Sequence, residues 1–156
     1  MNYQTADSWC YGNDPANCDV YGLFYNWNAA INACPNGWHI SSDDEWKTLE
    51  MYLGMSQNEA DAIGFRGTDE GNKLKSTSGW DGNGNGTDEV GFSAIPGGYR
   101  NGNGIFYGLR SSGNWWTATA DGSAGAWGRG MNIHNDGVYR DHNDEENGFS
   151  VRCVRD

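Results

Sequence analysis

Aliphatic side chains are scarce in this sequence. Leu, Ile, Val and Phe together number 21 of 156 residues. That is about 13%, below the ~20% at which a highly charged chain reads as disordered. Basic residues are scarce too: 10 Lys and Arg against 21 Asp and Glu, a net charge of −11. So acidic a chain has no basic footprint for phosphates, which weighs against nucleic-acid binding and suits cations or neutral polar ligands better. No apolar run approaches the ~18 residues of a membrane span, so no insertion into a bilayer is expected. There is no Gly-X-Y period and no heptad run. No Cys-x-x-Cys pair occurs, and His39, His134 and His142 are scattered, so the spacings of a zinc site are missing. Residues 1–20 hold no apolar segment of a secretory signal. Any signal or anchor is expected outside this chain.

What is abundant argues against disorder. The 8 Trp and 8 Tyr can each bury ~150–250 Å², enough for a core built from rings. Glycine (24) and asparagine (18) supply 42 residues, the composition of long loops. The length is that of one domain, ~150 residues, so residues 1–156 are expected to form a single, monomeric unit. Cys10, Cys18, Cys34 and Cys153 are an even count in a small, loop-rich chain, which suits disulfides and an oxidising compartment. Three connectivities are open.

Along the chain, residues 1–20 read as polar turns. Cys10 and Cys18 bracket a stretch of turn formers, and a bridge there would close a small loop. A strand at 20–25 is expected to lead into a short helix at about 26–33, stopped by Pro35, Asn36 and Gly37. Ser42-Asp43-Asp44-Glu45 is a capping box, and its acidic residues suit the positive end of a helix. Trp46, Leu49 and Leu53 share one face of that helix, with Gly54 after it. Ser56 and Glu59 repeat the box, with Gly64 closing a second short helix. Beyond residue 65, Gly-Asn clusters separate short apolar segments: Val90–Ile95, Ile105–Leu109, Trp115–Ala118, Gly130–Ile133, Val138–Arg140 and Phe149–Val154. These read as strands joined by long loops. Helices early and strands late in one domain predict an α+β fold.

Several runs carry a family resemblance. They are Trp9-Cys10-Tyr11, Asn13-Asp14-Pro15-Ala16-Asn17-Cys18, Tyr21-Gly22-Leu23-Phe24-Tyr25-Asn26-Trp27 and Cys34-Pro35-Asn36-Gly37-Trp38-His39-Ile40 with Asp44-Glu45-Trp46. Further runs are Gly91 to Arg100, Trp115 to Thr119 and Gly148 to Asp156. In this order and spacing the chain resembles the Fibrobacter succinogenes major paralogous domain family. That family looks like a branch of the C-type lectin-like fold, near the formylglycine-generating enzymes and the variable proteins of diversity-generating retroelements. The resemblance implies two helices, small twisted antiparallel sheets and long irregular loops. Beside the local pair Cys10–Cys18, bracketed by turns, it implies a disulfide Cys34–Cys153 that ties the chain before the main helix to the last strand. Residues 115–147 would correspond to the segment that retroelements diversify. Their Asn, Asp, His, Tyr, Ser and Gly content suits adenine-directed mutation and an ordinary polar binding surface equally.

Each motif has a plain reading beside the functional one. His39 reads as a residue of a strand entering the capped helix, satisfied by a backbone partner, because no nucleophile and orienting group accompany it. Asp81 to Gly86 mimics the start of an EF-hand loop, but Phe92 stands where a bidentate Glu is required. A looser Ca²⁺ site from Asp81, Asn83, Asp88 and Glu89 is a candidate, against a solvated turn. No cofactor is required. The acidic run Asp141 to Glu146 reads as a solvated loop or as a ligand contact. Trp115 and Trp116 point to opposite strand faces, with Trp116 expected in the core.

Three functions compete. The first is a non-catalytic recognition module, extracellular or on the cell surface, that takes a protein or glycan ligand. Its expected contacts are Trp127, Arg129, Asn132, His134, Tyr139, Asp141, His142 and Asn143, with Met131, Ile133 and Val138 buried beneath. Strand alternation would turn Trp127 and Arg129 inward unless a bulge intervenes among Gly128 and Gly130. The frame is assigned to Trp38, Trp46, Phe92, Trp116, Phe149 and Cys153. The second is a structural piece of a larger surface protein. The third is an oxidase of the formylglycine-generating type. That chemistry needs a close pair of reactive cysteines in the C-terminal half, where only Cys153 lies.

Overall fold

The computed structural model describes residues 5–122 and 125–156. It is mixed α+β, with five short α-helices among the described residues rather than two. Most of the excess comes from local side-chain caps, at Asp14, Asn26 and Ser56, that each start a turn or two of helix. Strand β1 (Ser8–Trp9) pairs antiparallel with β2 (Phe24–Tyr25), and helix α1 (Pro15–Tyr21) lies between them in the chain. Residues 1–20 are therefore not all turns. The Asp14 side chain accepts from the Ala16 N–H at 3.0 Å and Pro15 follows at the first helical position, the usual opening of a helix. The expected strand at 20–25 shrinks to Phe24–Tyr25. Helix α2 (Trp27–Ala30) is capped by Asn26, and β3 (Trp38–Ile40) leads into α3 (Asp43–Leu53).

Both capping boxes form. Ser42 and Glu45 open α3, and Ser56 and Glu59 open α4 (Gln57–Asp61). Gly64 does not close α4; at φ +91° it begins strand β4 (Gly64–Arg66). Helix α5 (Glu70–Leu74) follows, then the small antiparallel pair β5 (Tyr99–Arg100) and β6 (Phe106–Tyr107). The expected strand over Val90–Ile95 is reduced to a bridge between Ala94 and Lys75. Asp88 and Ser93 hold left-handed backbone, φ +51° and +52°, which breaks an extended run. Strands β7 (Ser112–Ala120), β8 (Gly125–Asn132) and β9 (Asn135–Asp144) join β4 in the largest sheet, order β4-β9-β8-β7, all antiparallel. Strand β10 (Cys153–Arg155) returns to pair with β3.

The four-stranded sheet separates two cores. On its inner face, Trp115, Met131 and Val138 pack with Trp46, Leu53 and Leu74. On the other face, near Ala126, Trp116 stacks on Phe149 at 4.4 Å between ring centres and donates from Nε1 to the Tyr25 carbonyl at 2.8 Å. Both tryptophans of the pair are thus core, because the sheet is covered on both faces at that point. Trp38, assigned to the frame, is 45% exposed on the short β3 and is not part of either core. The disulfides are Cys10–Cys18 and Cys34–Cys153.

The inner face also buries charge. Glu50 of α3 is fully buried and Arg129 of β8 is 1% exposed. Arg129 Nε donates to Glu50 Oε1 at 2.7 Å, and its NH1 to Asp43 Oδ1 at 2.8 Å. Arg66 of β4 holds both Glu50 oxygens, at 2.8 and 2.9 Å. Arg140 of β9 holds both Asp43 oxygens, at 2.9 and 2.8 Å, and caps the end of α4 through the Asp61 carbonyl. Lys47 closes the outer end against Asp61 at 2.9 Å. Burial pushes the Asp43 carboxyl up, but hydrogen bonds and charge from Arg140 and Arg129 outweigh it and hold it well below the ordinary carboxylate range. That stabilisation is present above the unfolded value of ~3.9 and is lost as pH falls below it.

Removing one partner of a buried ion pair strands the other and costs about 3–5 kcal/mol. Arg129→Met is therefore expected to lower stability by about that amount in chemical denaturation. Asp43→Asn should flatten the loss of stability below pH ~4 that the parent shows. Opening the Cys34–Cys153 bridge, which closes a separation of 119 residues, is expected to cost about 4–5 kcal/mol in the chain-entropy account. The double Cys→Ser variant measures this.

Candidate functional site

Strand alternation divides the expected ligand residues between two faces. Across β8 and β9 the register runs unbroken from Gly125↔Asp144 to Gly130↔Tyr139. No bulge re-aims Trp127 or Arg129. Arg129 faces α3 and belongs to the buried ion network, so it is withdrawn as a ligand contact. Trp127 and His142 share that inner face at its rim. The Trp127 ring lies under the Arg140 guanidinium at 3.6 Å and meets the His142 ring edge-on. Asn132, Tyr139, Asp141 and Asn143 occupy the opposite, outer face. His134 is exposed in the turn between β8 and β9. Met131 and Val138 are buried as expected, while Ile133 is partly buried.

The outer face has a covered end and an open end. Phe149 covers Gly128, its ring carbon 3.4 Å from where a Cβ would stand. Beyond it, around Gly130, a groove of about 200 Å³ is left open, walled by Phe65, Tyr99 and Tyr139 and edged by Ser112, Asn114 and Asn132. Gly130 forms the floor for a steric reason: a Cβ there would meet Asn114 Oδ1 at 2.9 Å and Tyr139 Cβ at 3.4 Å. The Phe65 and Tyr139 rings lie 5.1 Å apart, and Tyr99 stacks on Tyr107 at 5.6 Å. Phe65 is 43% exposed. The Tyr139 hydroxyl donates to Asp141 Oδ2 at 2.7 Å, and the His142 N–H reaches Asp141 Oδ1 at 2.9 Å.

The hairpin that carries Asn132 is held from below. Lys75 is buried and donates to the Asn132 and Asn135 carbonyls at 3.2 and 3.4 Å. Sequence reasoning misses Phe65, Tyr99 and Asn114. Asn114 carries a detectable signal: it lies two residues before Trp116 on a strand, hence on the same face. Phe65 and Tyr99 carry none, since pairing across the chain brings them there.

The other expected sites stay apart. Asp81 pairs with Arg110 at 2.7 Å, and the Asp88 carboxylate accepts from the Ser93 N–H and hydroxyl at 2.6 and 2.5 Å. Asn83 and Glu89 are exposed. Among the described residues no group of three or more His, Cys, Asp or Glu is arranged to hold a metal ion. His39 meets side chains rather than a backbone group: Glu45 at 2.9 Å and Asp156 at 2.6 Å. The hydrogen bond to Asp156, then that to Glu45, raises its pKa above the ordinary value. A larger groove of about 690 Å³ lies between α3, β10 and residues 90–92. Its three unpaired polar atoms, Ser41 Oγ, Trp46 Nε1 and Arg152 Nε, are sealed beneath the surface, which leaves them out of reach of anything in the groove.

Residues 1–155 match the Fibrobacter succinogenes major domain. The chain belongs to this family. No curated protein and no solved structure gives a significant match. No helix among the described residues is long and apolar enough to cross a membrane, and two disulfides fit an oxidising compartment.

The hydrogen bond to Asp141, with burial behind it, raises the Tyr139 pKa above its ordinary ~10. Spectrophotometric titration of the phenols should show the Tyr139 transition above that value in the parent. In Asp141→Asn it should move down toward ~10.

Proposed function

We propose that this domain is a non-catalytic recognition module of the C-type lectin-like kind, displayed outside the cytoplasm. It takes a protein or glycan ligand on the outer face of the β4-β9-β8-β7 sheet. One observation carries the reading: charge pairs and tryptophans seal the inner face, while the outer face opens around Gly130 between exposed rings and carboxamides. The contacts are then Asn132, Tyr139, Asp141 and Asn143 from the sequence reading, joined by Phe65, Tyr99 and Asn114. Trp127, His134 and His142 are left to the rim. Retroelement diversification of residues 115–147 is compatible with this plan, because outer-face positions in a strand can change while their inner-face neighbours keep the frame. A catalytic role of the formylglycine-generating type has little support, since all four cysteines are in disulfides. The reading requires no calcium.

The test compares the parent with Asn132→Ala/Tyr139→Leu/Asp141→Ala on arrays of glycans and extracellular proteins. The substitutions remove the Tyr139–Asp141 and Asn132–His134 hydrogen bonds, each worth about 0.5–1.5 kcal/mol, so the variant is expected to melt below the parent yet stay folded at assay temperature, which its melting curve checks. Its binding should disappear. Binding kept at the parent's affinity would move the ligand face elsewhere. A parent silent on every array would favour a structural piece of a larger surface protein.

A further inference from the structure

We infer that the groove over Gly130 binds a neutral saccharide, one pyranose ring at a time. The inference rests on the outer face being the ligand face and names the chemistry that fits it.

Size comes first. Pockets for drug-sized ligands run to ~300–1,000 Å³, and this groove is about 200 Å³. It admits one ring. Charge comes second. The groove is lined by no Lys or Arg, and the chain carries −11, so an anionic ligand meets repulsion and no counter-charge. A cation finds little either, because no Asp or Glu lines the groove.

The functional groups that remain match a sugar. The Asn114 carboxamide makes no hydrogen bond within the described residues, and Asn132 uses only its oxygen, toward the His134 N–H. A primary amide offers donors and an acceptor side by side, which is what adjacent hydroxyls of a sugar present in complementary order. Phe65, Tyr139 and Tyr99 supply flat apolar walls, and a pyranose has one face made of C–H groups that can lie on such a ring. The floor has no side chain at Gly130, which leaves room there for the Asn114 carboxamide, whose Oδ1 stands 2.9 Å from where a Cβ would be.

The experiment follows backbone and side-chain amide resonances of the whole domain by NMR. Methyl pyranosides of glucose, galactose and mannose are titrated in, with glucuronate as the anionic comparison. Each neutral pyranoside that binds is expected to act at about millimolar concentration, as a single ring with few contacts does. It should shift the Asn114 and Asn132 side-chain amides and Gly130, while glucuronate does not. Gly130→Ala, whose methyl group would push the Asn114 carboxamide out of place, should weaken binding about tenfold or more. Asn114→Ala should do the same by removing the carboxamide itself, and its unchanged melting temperature controls for folding. If no pyranoside moves these resonances but a protein from the arrays does, the saccharide assignment falls and the ligand face stands. If pyranosides shift residues of α3 or β10 instead, both fall. Binding unaffected by either substitution also overturns the assignment.

Discussion

The buried ionic network between α3 and the large sheet is the constraint on which the rest of the molecule depends. A chain so poor in aliphatic side chains cannot seal a helix onto a sheet with Leu and Val alone. It uses Trp46 and Trp115 for area and three arginines for direction. Apolar contact is non-directional, whereas a guanidinium fork meets a carboxylate in one geometry. Glu50 is gripped by Arg66 and Arg129, and Asp43 by Arg129 and Arg140. One helix is thereby tied to β4, β8 and β9 at once. Desolvating these charges is costly, and such networks are not in themselves a source of stability. Here every oxygen of the Asp43 and Glu50 carboxylates has a cationic partner, which is the condition under which buried charge is tolerated.

That arrangement decides what the opposite face can do. With register set by paired charges on one side, side chains on the other need not fix the strands where Phe149 no longer covers them. Gly130, Asn114, Asn132 and Tyr139 sit on strands whose positions are settled elsewhere. A surface built in this way is rigid without being packed, and under the proposed function that would spare a ligand the cost of ordering it. Lys75 serves the same end from below, holding the turn of the hairpin by its carbonyls.

The N- and C-terminal segments complete the frame. Phe149 and Tyr25 exchange backbone hydrogen bonds at 3.1 and 2.9 Å, and the Cys34–Cys153 bridge lies beside the β3–β10 pairing. These contacts join parts of the chain more than a hundred residues apart. They enclose the end of the outer face and so define where the open groove begins.

By itself the sequence determined whatever rests on neighbours in the chain. The two capping boxes, the ring-built core and the α+β class follow from local spacing and composition. Of the disulfides, Cys10–Cys18 follows from two cysteines bracketing turn formers and Cys34–Cys153 from the family resemblance, and both hold in the structure. Arg129 shows the limit. Alternation from Met131 already turns it inward, yet nothing local shows that Asp43 and Glu50 are waiting there, 86 and 79 residues away. Arg66 and Arg140 join it only through those shared carboxylates. Asp14-Pro15 is a legible helix start hidden among turn formers. Phe65 and Tyr99 beside Tyr139 are not legible at all. Only tertiary structure places them there, because strand pairing is set by which faces must be buried, and that is a property of the whole chain rather than of any segment.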